Sequence, residues 1–384
     1  MKKKEIIFII ESLGLGGAEK SLVTLLQNLD YSKFKVDLLM ITEGGIFENE
    51  VPNEVSIIRY NIFKEIPVLY KTYLRIRYFI ARKINNHLHD SEKHWKIFGN
   101  SLSPMTENYD VAIAYSQGFS TFFTATKINA NKKYAWINID YKKAGYNIEF
   151  DLPYYKEFNS LVTVSQEVKN GLVKELNALN VILPFEIIKD ITDKEMLLKQ
   201  SLQNNCDFDS EKINIVTVGR LVSQKGMFLA IEACKKIIEA GFAVHWYIIG
   251  EGNERPSIEN LIQKNNLSQS IILKGAINNP YPYIKACDIY VQTSLFEGLC
   301  LTLIEAACLC KPIITTNFPT AYTIIENDRT GIICEMNSEA VSNSVIRLIE
   351  SQELKEKFSG NLAKMEINTK QESLAKVEAL LNEN

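Results

Sequence analysis

Two glutamates, Glu297 and Glu305, stand eight residues apart in a segment whose pattern predicts a turn followed by a helix. The apolar residues 288–292 just upstream predict a short buried strand, so Glu297 is expected just beyond its carboxyl end. Open α/β sheets bind ligands at this edge. Glu305 interrupts the apolar helical run 301–309, and a carboxylate there needs a partner, which a ribose or hexose hydroxyl would supply. Spacing alone leaves a surface glutamate and a salt-bridged helix glutamate as the alternative.

A second cluster of polar residues lies on the loop 219–226, between a predicted strand at 213–218 and a predicted helix. Arg220 and Lys225 stand five residues apart on this loop and can converge on a diphosphate, because Arg offers a bidentate fork and Lys a mobile point charge. The loop also precedes a helix N-terminus, which attracts anions. The alternative is a pair of solvated basic residues.

Together these residues resemble the retaining nucleotide-sugar glycosyltransferases of family 4, which have the two-domain GT-B fold. The resemblance covers nearly the whole chain and is most specific between residues 213 and 335. The matching segments keep the family's order and are residues 14–20, 219–226, 250–252, 273–275 and 297–305.

The resemblance implies a role for each motif residue. Arg220 and Lys225 would bind the pyrophosphate and stabilise leaving-group charge, and Glu297 would take the sugar hydroxyls. Glu305 would take the ribose hydroxyls, and Gly275 would mark the base-binding turn. The family needs no metal and no cofactor besides the nucleotide-sugar donor. The remaining expected donor contacts are Gly16, Gly17, Gly250, Gly298, Leu299, Cys300 and Leu301.

The glycine-rich loop at residues 14–17 has a second interpretation, a dinucleotide fingerprint with Glu43 as the ribose-binding acid. Glu19 stands where that fingerprint requires its third glycine, so the evidence for a nicotinamide cofactor is weak. A glycine-rich turn at a helix N-terminus still lets backbone N–H groups approach a phosphate. In the resembled family this loop faces the donor.

The chain departs from the family pattern at Asn138, where many relatives carry a histidine that reaches the donor sugar. Asn138 can hydrogen-bond a sugar hydroxyl but cannot change charge. In front-face retention the leaving phosphate takes the acceptor proton, so no general-base histidine is needed. We expect Asn138, Asp140 and Ser116 to contact the sugar or acceptor. The sequence does not favour a metal site at the loose trio His87, His89 and His94.

Composition bounds the class of protein. The chain has 384 residues, of which 46% are hydrophobic and 23% charged, and this length suits two domains. A net charge of −3 argues against nucleic-acid binding. The apolar run 6–10 is shorter than a signal-peptide core, and no stretch reaches the apolar length of a membrane span. Seven cysteines, an odd number without a Cys-x-x-Cys pair, favour reduced thiols in a cytoplasmic protein.

Alternation of strand-like and amphipathic segments predicts an α/β fold with two Rossmann-like doubly wound domains facing a central cleft. We predict an acceptor-side domain at 1–190, a nucleotide-sugar-binding domain at 191–365 and a C-terminal helix at 366–384 that packs back on the first domain. The polar segment 184–212 is predicted to connect the domains. The predicted strands are 5–10, 34–40, 55–58, 111–114, 133–137, 161–164, 181–183, 213–218, 244–249, 271–273, 288–292, 312–314 and 331–334.

The segment 64–99 is the basic part of the chain, with eight basic residues and three acidic ones. Lys64 is among the basic residues and Glu65 among the acidic ones. Helical periodicity predicts a stripe of Lys71, Arg75 and Arg82 facing headgroups of an anionic membrane. The alternative is an ordinary amphipathic surface helix. The opposite stripe is expected to pack on the first domain and consists of Leu69, Tyr73, Ile76, Ile80 and Ile84.

The combined prediction is a glycosyltransferase that moves a hexose from a nucleotide diphosphate sugar, UDP-sugar favoured, to a glycan or lipid-linked acceptor with retention. Cytoplasmic location, with peripheral contact at the inner face of the membrane, is expected. One alternative is a nucleotide-sugar epimerase on the same fold. Another is a non-catalytic partner subunit of a transferase, which would be expected to lose Arg220, Lys225 or Glu297.

Overall fold

A computed structural model describes residues 2–62, 66–84, 87–203 and 206–383. Lys64 and Glu65 of the basic segment lie outside the described residues. The chain divides into two compact units, the first comprising Met1–Ile191 with Gln371–Asn384 and the second Thr192–Lys370.

Strands and helices alternate through both units. In chain order, the elements up to residue 187 are β1 (Lys4–Ile10), α1 (Gly17–Leu26), β2 (Phe34–Met40), β3 (Val55–Arg59), α2 (Val68–Ile84), α3 (Asp90–Phe98), β4 (Asn108–Ala114), α4 (Phe119–Lys127), β5 (Asn129–Ile137), α5 (Ile148–Tyr155), β6 (Ser160–Thr163), α6 (Gln166–Asn177) and β7 (Phe185–Ile187). Those that follow are α7 (Lys194–Ser201), β8 (Ile213–Val218), α8 (Met227–Glu239), β9 (Val244–Ile249), α9 (Arg255–Lys264), β10 (Ile271–Gly275), α10 (Tyr281–Ala286), β11 (Ile289–Gln292), α11 (Leu301–Cys308), β12 (Ile313–Thr316), β13 (Ile332–Cys334), α12 (Ser338–Glu350), α13 (Gln352–Ala363) and α14 (Lys370–Asn382).

Each unit is built on one parallel sheet. The first has the strand order β3-β2-β1-β4-β5-β6-β7 and the second β10-β9-β8-β11-β12-β13. The order reverses direction between β1 and β4 in the first sheet and between β8 and β11 in the second. Ligands of open α/β sheets bind outside the carboxyl ends of the strands at such switch points. Two Rossmann-like units were predicted, and this part of the fold prediction is confirmed.

The central strands are buried on both faces, as parallel sheets require. Residues Ile6–Ile10 of β1 are almost fully enclosed. In the second unit the Trp246 indole N–H donates to Thr217 Oγ1 at 3.0 Å, and Thr217 donates to the Val291 carbonyl at 2.7 Å. These bonds join β9, β8 and β11, so the switch point rests on a rigid core.

The predicted strand at 181–183 is wrong. The strand at the sheet edge is β7, and Leu161 of β6 donates its N–H to the Pro184 carbonyl immediately before it. Ile182 is 93% exposed, so its apolar character did not indicate pairing. The predicted connection at 184–212 therefore begins with the last strand of the first sheet and also contains α7.

The predicted packing of α2 is also wrong. The stripe expected to face the first domain is exposed, with Leu69 at 87%. The helix instead contacts α3 through Leu74, Tyr78 and Ala81, which pack with Phe98 and others in one small cluster. These three residues have the spacing i, i+4, i+7 and so share one face. None of the described helices combines the length and apolarity needed to cross a bilayer.

The C-terminal helix α14 packs within the first unit. Val377, Leu380 and Leu381 are buried there, and each such side chain contributes about 1.5–3 kcal/mol when fully buried. Tyr134 of β5 donates to Glu383 at 2.6 Å, just beyond the helix. The last residues of the chain thus complete a unit that is otherwise formed by its first half.

A buried polar trio ties α1 to the end of the first unit. Ser21 donates to the carboxylate of Asp190, and its oxygen lies 2.9 Å from the Tyr115 hydroxyl. Burial raises the pKa of Asp190 to about 6, while the hydrogen bond from Ser21 acts in the opposite direction. At mildly acidic pH, Asp190 is therefore protonated in the folded protein while it is ionised in the unfolded chain.

This pKa predicts a pH dependence of stability. The folded-state pKa of Asp190 lies above its unfolded value near 3.8, so its protonation stabilises the fold fully below about pH 4. That stability is lost as the pH rises through about 6, and up to about 3 kcal/mol is involved. As the pH rises between these values, the free energy of unfolding of wild type should therefore fall relative to that of Asp190→Asn.

Unfolding of the first unit can be followed by tryptophan fluorescence in a Trp246→Phe background. The remaining residues Trp95 and Trp136 both lie in the first unit, which also contains Asp190. A difference between Asp190→Asn and its parent that stays constant with pH would contradict the assignment.

Candidate active site

The loop after β8 places Arg220 and Lys225 at the switch point of the second sheet. Residues Ser223–Lys225 form a short 3-10 turn, and Gly226 follows with φ +59°. A Cβ on Gly226 would lie 2.2 Å from the Thr293 carbonyl oxygen, so only glycine lets this loop approach the end of β11. The close approach brings the two predicted motifs together.

Lys225 and Glu297 form an ion pair with 2.6 Å between Nζ and Oε1. Their side chains are 13% and 7% exposed. The two residues come from loops that follow the adjacent strands β8 and β11. The arrangement holds a cation and a carboxylate at the edge where α/β sheets bind ligands.

Two further side chains hold Glu297 in place. Ser294 donates to Oε1 at 2.5 Å, and Gln224 donates to Oε2 at 3.1 Å. Behind Ser294, Gln292 donates to its hydroxyl at 2.7 Å and accepts from Tyr290 at 2.8 Å. A chain of buried polar groups at the end of β11 thus fixes the position of the Glu297 carboxylate.

The protonation of Lys225 reflects this setting. Burial by itself would lower its pKa, but the neighbouring carboxylate of Glu297 opposes this, and the resulting pKa is raised. Arg220 acts in the lowering direction, and it follows Gly219, where a Cβ would lie 3.3 Å from Cδ of Lys225. Arg220 itself is exposed, so one cation is held in the wall and the other stands in solvent.

The predicted glycines Gly250 and Gly275 lie at the carboxyl ends of β9 and β10. Gly250 has φ +150°, and a Cβ there would lie 2.0 Å from the Gly219 carbonyl oxygen. The N–H of Gly250 donates to the carbonyl of Gly275 at 2.8 Å. The backbone ends of three neighbouring strands therefore pack side by side next to Arg220.

The turn from β11 into α11 contains the other predicted donor contacts. Gly298 follows Glu297, Leu299 and Cys300 are buried, and Leu301 is the first residue of α11. Cys300 stands at the N-cap with φ +60°, in the left-handed region that is uncommon for residues other than glycine. Cys300 follows Glu297 by three residues, so the start of α11 lies close to the ion pair.

Glu305 lies on the second turn of α11 and is buried. It accepts a hydrogen bond from the Tyr281 hydroxyl of α10 at 3.2 Å. A buried carboxylate needs a polar partner, and the protein itself provides one in Tyr281. Its contact with a ribose stays a prediction.

The glycine-rich loop lies at the switch point of the first sheet. It follows β1, and Gly16 is the N-cap of α1 while Gly17 is its first residue. A Cβ on Gly16 would lie 2.0 Å from Oε2 of Glu19. The N-terminal start of α1 therefore has a carboxylate beside it, and the donor role of Gly16 and Gly17 stays a prediction.

The predicted sugar or acceptor residues lie after β4 and β5. The Asn138 amide donates to the Tyr115 carbonyl at 2.7 Å, and its backbone N–H donates to the Gln117 side chain at 3.1 Å. Ser116 lies 3.0 Å from the Ser120 hydroxyl, and Asp140 accepts from the Lys143 backbone at 3.1 Å. Asn138 is thus fixed by the neighbouring strand end.

Two of the three clustered histidines have structural roles. His89 caps α3 by accepting from the Ser91 N–H and stacks on Tyr146 at 4.2 Å. His94 stacks on Phe98 at 4.5 Å. Within the described part of the chain, no group of three or more His, Cys, Asp or Glu residues is arranged to hold a metal ion.

Sequence reasoning missed the residues that support the motif side chains. Gln224, Ser294 and Tyr281 contact Glu297 or Glu305, and Tyr115 and Gln117 hold Asn138. A signal was present for the serine, since three consecutive polar residues, 292–294, follow the apolar residues of a buried strand. No sequence pattern indicated the tyrosines, because each acts from a different element.

Comparisons with known proteins bear on the family and the fold. The family model described as "Glycosyl transferases group 1" matches residues 199–365. An uncharacterized glycosyltransferase of Methanocaldococcus jannaschii is 29% identical over 206 residues, half of each chain. The N-acetylgalactosamine-N,N'-diacetylbacillosaminyl-diphospho-undecaprenol 4-alpha-N-acetylgalactosaminyltransferase of Campylobacter jejuni is 25% identical over 357 residues, 91% of each chain.

The chain thus spans about half the length of the first relative and nearly all of the second. Among solved structures, Anabaena HepE in complex with UDP-glucose has a TM-score of 0.71 at 14% identity, covering 98% of this chain and 99% of that one. This likeness shows the fold over both units. Residues 199–365 form a glycosyl transferases group 1 domain, in a chain that has the GT-B fold of glycosyltransferases.

Proposed function

We propose that this protein transfers a hexose from a UDP-sugar to a hydroxyl of a glycan or lipid-linked acceptor with retention of anomeric configuration. The observation that carries the proposal is the Lys225–Glu297 pair at the switch point of the second sheet, beside the start of α11. The domain match covers this region. The extension to UDP-sugar and to a lipid-linked acceptor is suggested by the names of the similar proteins.

The cations would act on the leaving group. Arg220 and Lys225 lie close together at one strand end and carry two positive charges against the single carboxylate of Glu297. As the bond between the sugar carbon and the diphosphate breaks, negative charge grows on the phosphate oxygens. Fixed cations stabilise such developing charge without reorganisation. Exposed Arg220 can move onto the diphosphate, while Lys225 is held in place before the donor arrives.

Glu297 would orient the sugar. An ionised carboxylate has about four acceptor sites, and in the described structure Oε1 accepts from Lys225 and Ser294 while Oε2 accepts from Gln224. Oε2 keeps capacity for a sugar hydroxyl. Because three donors fix the carboxylate, its position does not depend on the sugar, and such preorganisation lowers the cost of orienting the substrate.

The proposed chemistry moves one proton. A new bond forms between the anomeric carbon and the acceptor oxygen on the face that the diphosphate leaves, and the acceptor proton passes to a leaving phosphate oxygen. No charge-changing side chain is needed on that face, so a neutral amide at Asn138 is compatible with the reaction. The free thiols of all seven cysteines support our further proposal of a cytoplasmic location.

The product distinguishes this reaction from its alternatives. A thermal-shift screen across UDP-, GDP-, dTDP- and ADP-sugars should select a UDP-sugar. Proton NMR of the product with a glycan acceptor should then show the anomeric configuration of the donor. An inverted product would contradict retention, and formation of an epimer from donor alone would identify an epimerase.

Arg220→Ala and Lys225→Ala should each weaken UDP binding and nearly abolish transfer. A charge-assisted hydrogen bond contributes about 1.5–3 kcal/mol, so calorimetric titration should show UDP binding roughly tenfold or more weaker. The affinity of both variants for uridine, which lacks the diphosphate, should be close to that of wild type. Unchanged UDP affinity in both variants would show that these residues do not bind the diphosphate.

The control is Lys236→Ala, which breaks a 2.6 Å ion pair with Glu339 on the outer side of the same unit and should leave UDP binding unchanged. Removing Lys225 also leaves Glu297 buried without its cation, a loss that costs about 3–5 kcal/mol in buried pairs. Thermal unfolding should therefore accompany each titration. Arg220→Ala avoids this cost because its side chain is exposed.

The two glutamates should separate kinetically. Glu305→Gln should mainly weaken binding of UDP, because its proposed partner is the ribose. Glu297→Gln should leave UDP affinity nearly intact and lower the rate of transfer, because its proposed partner is the moving sugar. Titration with UDP beside steady-state kinetics measures both effects, and an equal loss of UDP affinity in the two variants would refute this division of roles.

A further inference from the structure

Helix α2 exposes a large apolar face. It contacts the rest of its unit through the narrow stripe of Leu74, Tyr78 and Ala81, with Tyr78 against His94 and Phe98 of α3. Of the twelve large hydrophobic side chains exposed in the described residues, eight belong to this helix. They are Val68, Leu69, Tyr70, Tyr73, Ile76, Phe79, Ile80 and Ile84. Exposed apolar side chains concentrated on one element in this way mark an interaction site.

The charges of α2 are of one sign. The helix contains five basic residues and no acidic one, whereas the whole chain has a net charge of −3. Two of the cations lie against outward-facing aromatic rings, Arg77 over Tyr73 at 5.6 Å and Lys83 over Phe79 at 4.5 Å. At 100° per residue, Arg77 and Lys83 fall within the exposed apolar face, and Lys71, Arg75 and Arg82 lie along one side of it.

This combination selects one occupant. A second copy of the chain would bring two such helices together in a symmetric contact, and the like charges of both would meet beside the apolar residues. Protein interfaces have cores depleted of charged residues. An anionic bilayer satisfies both features, because its headgroups pair with the cations while its acyl boundary takes the apolar side chains.

We propose that α2 is an interfacial membrane helix, which lies in the plane of an anionic bilayer with its outward apolar side chains inserted. This goes beyond the proposed transfer reaction, because it requires neither donor nor acceptor. It also differs from adsorption through a basic stripe, since the inserted residues are the apolar set, with cations beside and among them.

Vesicle co-sedimentation tests the two contributions separately. Wild-type protein should bind vesicles of phosphatidylglycerol and phosphatidylcholine at low salt and keep part of this binding at high salt, where surface charge is screened. Replacing Arg75, Arg77 and Lys83 by Gln should reduce low-salt binding strongly, at about fivefold per charge. Replacing Leu69, Ile76 and Ile80 by Gln should abolish the salt-resistant part, because hydrophobic burial is not screened.

The matched control replaces three exposed hydrophobic residues outside α2, Ile182, Leu198 and Leu202, by Gln and should bind vesicles like wild type. Every variant should keep the wild-type affinity for UDP and the wild-type thermal unfolding. A wild-type protein that does not bind UDP would count against the proposed transferase while leaving the vesicle result valid.

Insertion has its own readout. In the variant Phe79→Trp, the fluorescence emission of the introduced indole should shift to shorter wavelength when anionic vesicles are added. Brominated acyl chains should quench this fluorescence. The native residues Trp95, Trp136 and Trp246 are buried and give a constant background. Failure of wild type to bind at either salt, equal binding to pure phosphatidylcholine, or unchanged binding after the apolar substitutions would overturn the proposal. A dimer in sedimentation velocity that only the apolar substitutions dissociate, without lipid binding, would assign the face to self-association instead.

Discussion

The ion pair between Lys225 and Glu297 is the contact around which the second unit arranges its functional edge. An intact buried pair contributes little net stability, because desolvation of both charges offsets their attraction, whereas loss of one partner costs several kcal/mol. The pair therefore acts mainly as a constraint on position. Backbone contacts enforce it: Leu295 N–H donates to the Gln224 carbonyl at 2.8 Å, and Gly226 leaves room for the Thr293 carbonyl.

This constraint has a consequence for a bound diphosphate. Lys225 has already lost its water and is already paired with Glu297. A phosphate that approaches Lys225 therefore shares this cation with Glu297 and does not have to displace water from the lysine. Arg220 supplies the charge that Glu297 does not balance. A buried cation paired with a carboxylate, next to an exposed cation, separates the task of holding geometry from the task of attracting the ligand.

The two units use the same switch-point topology with different chemistry. In the second, charged side chains from the ends of β8 and β11 meet. In the first, the ends of β4 and β5 carry Tyr115, Gln117 and Asn138, where Asn138 donates to the Tyr115 carbonyl and to the Gln117 side chain. Neutral polar groups suit hydroxyl recognition, and charged groups suit a diphosphate. The helix with the exposed apolar face also belongs to the first unit.

The sequence by itself determined the fold class and the motif residues. Strand and helix periods of 2 and 3.6 residues differ enough to be recognised locally, and the carboxyl ends of parallel strands must share one edge. For this reason local patterns suffice to place Glu297 and Arg220 at strand ends. The resemblance to a glycosyltransferase family rests on the same local motifs.

Only the tertiary structure decided which partners those residues have. Lys225 and Glu297 are 72 residues apart, and their contact follows from β8 and β11 being neighbours, which no local pattern encodes. Helical periodicity gives α2 two stripes but assigns the wrong one to the core, because α3 accepts only a narrow stripe around Leu74. The apolar pattern predicts the edge strand at 181–183, although pairing with β6 begins after Pro184. In each case the deciding contact joins residues far apart in sequence, and its energy depends on packing that the chain acquires only on folding.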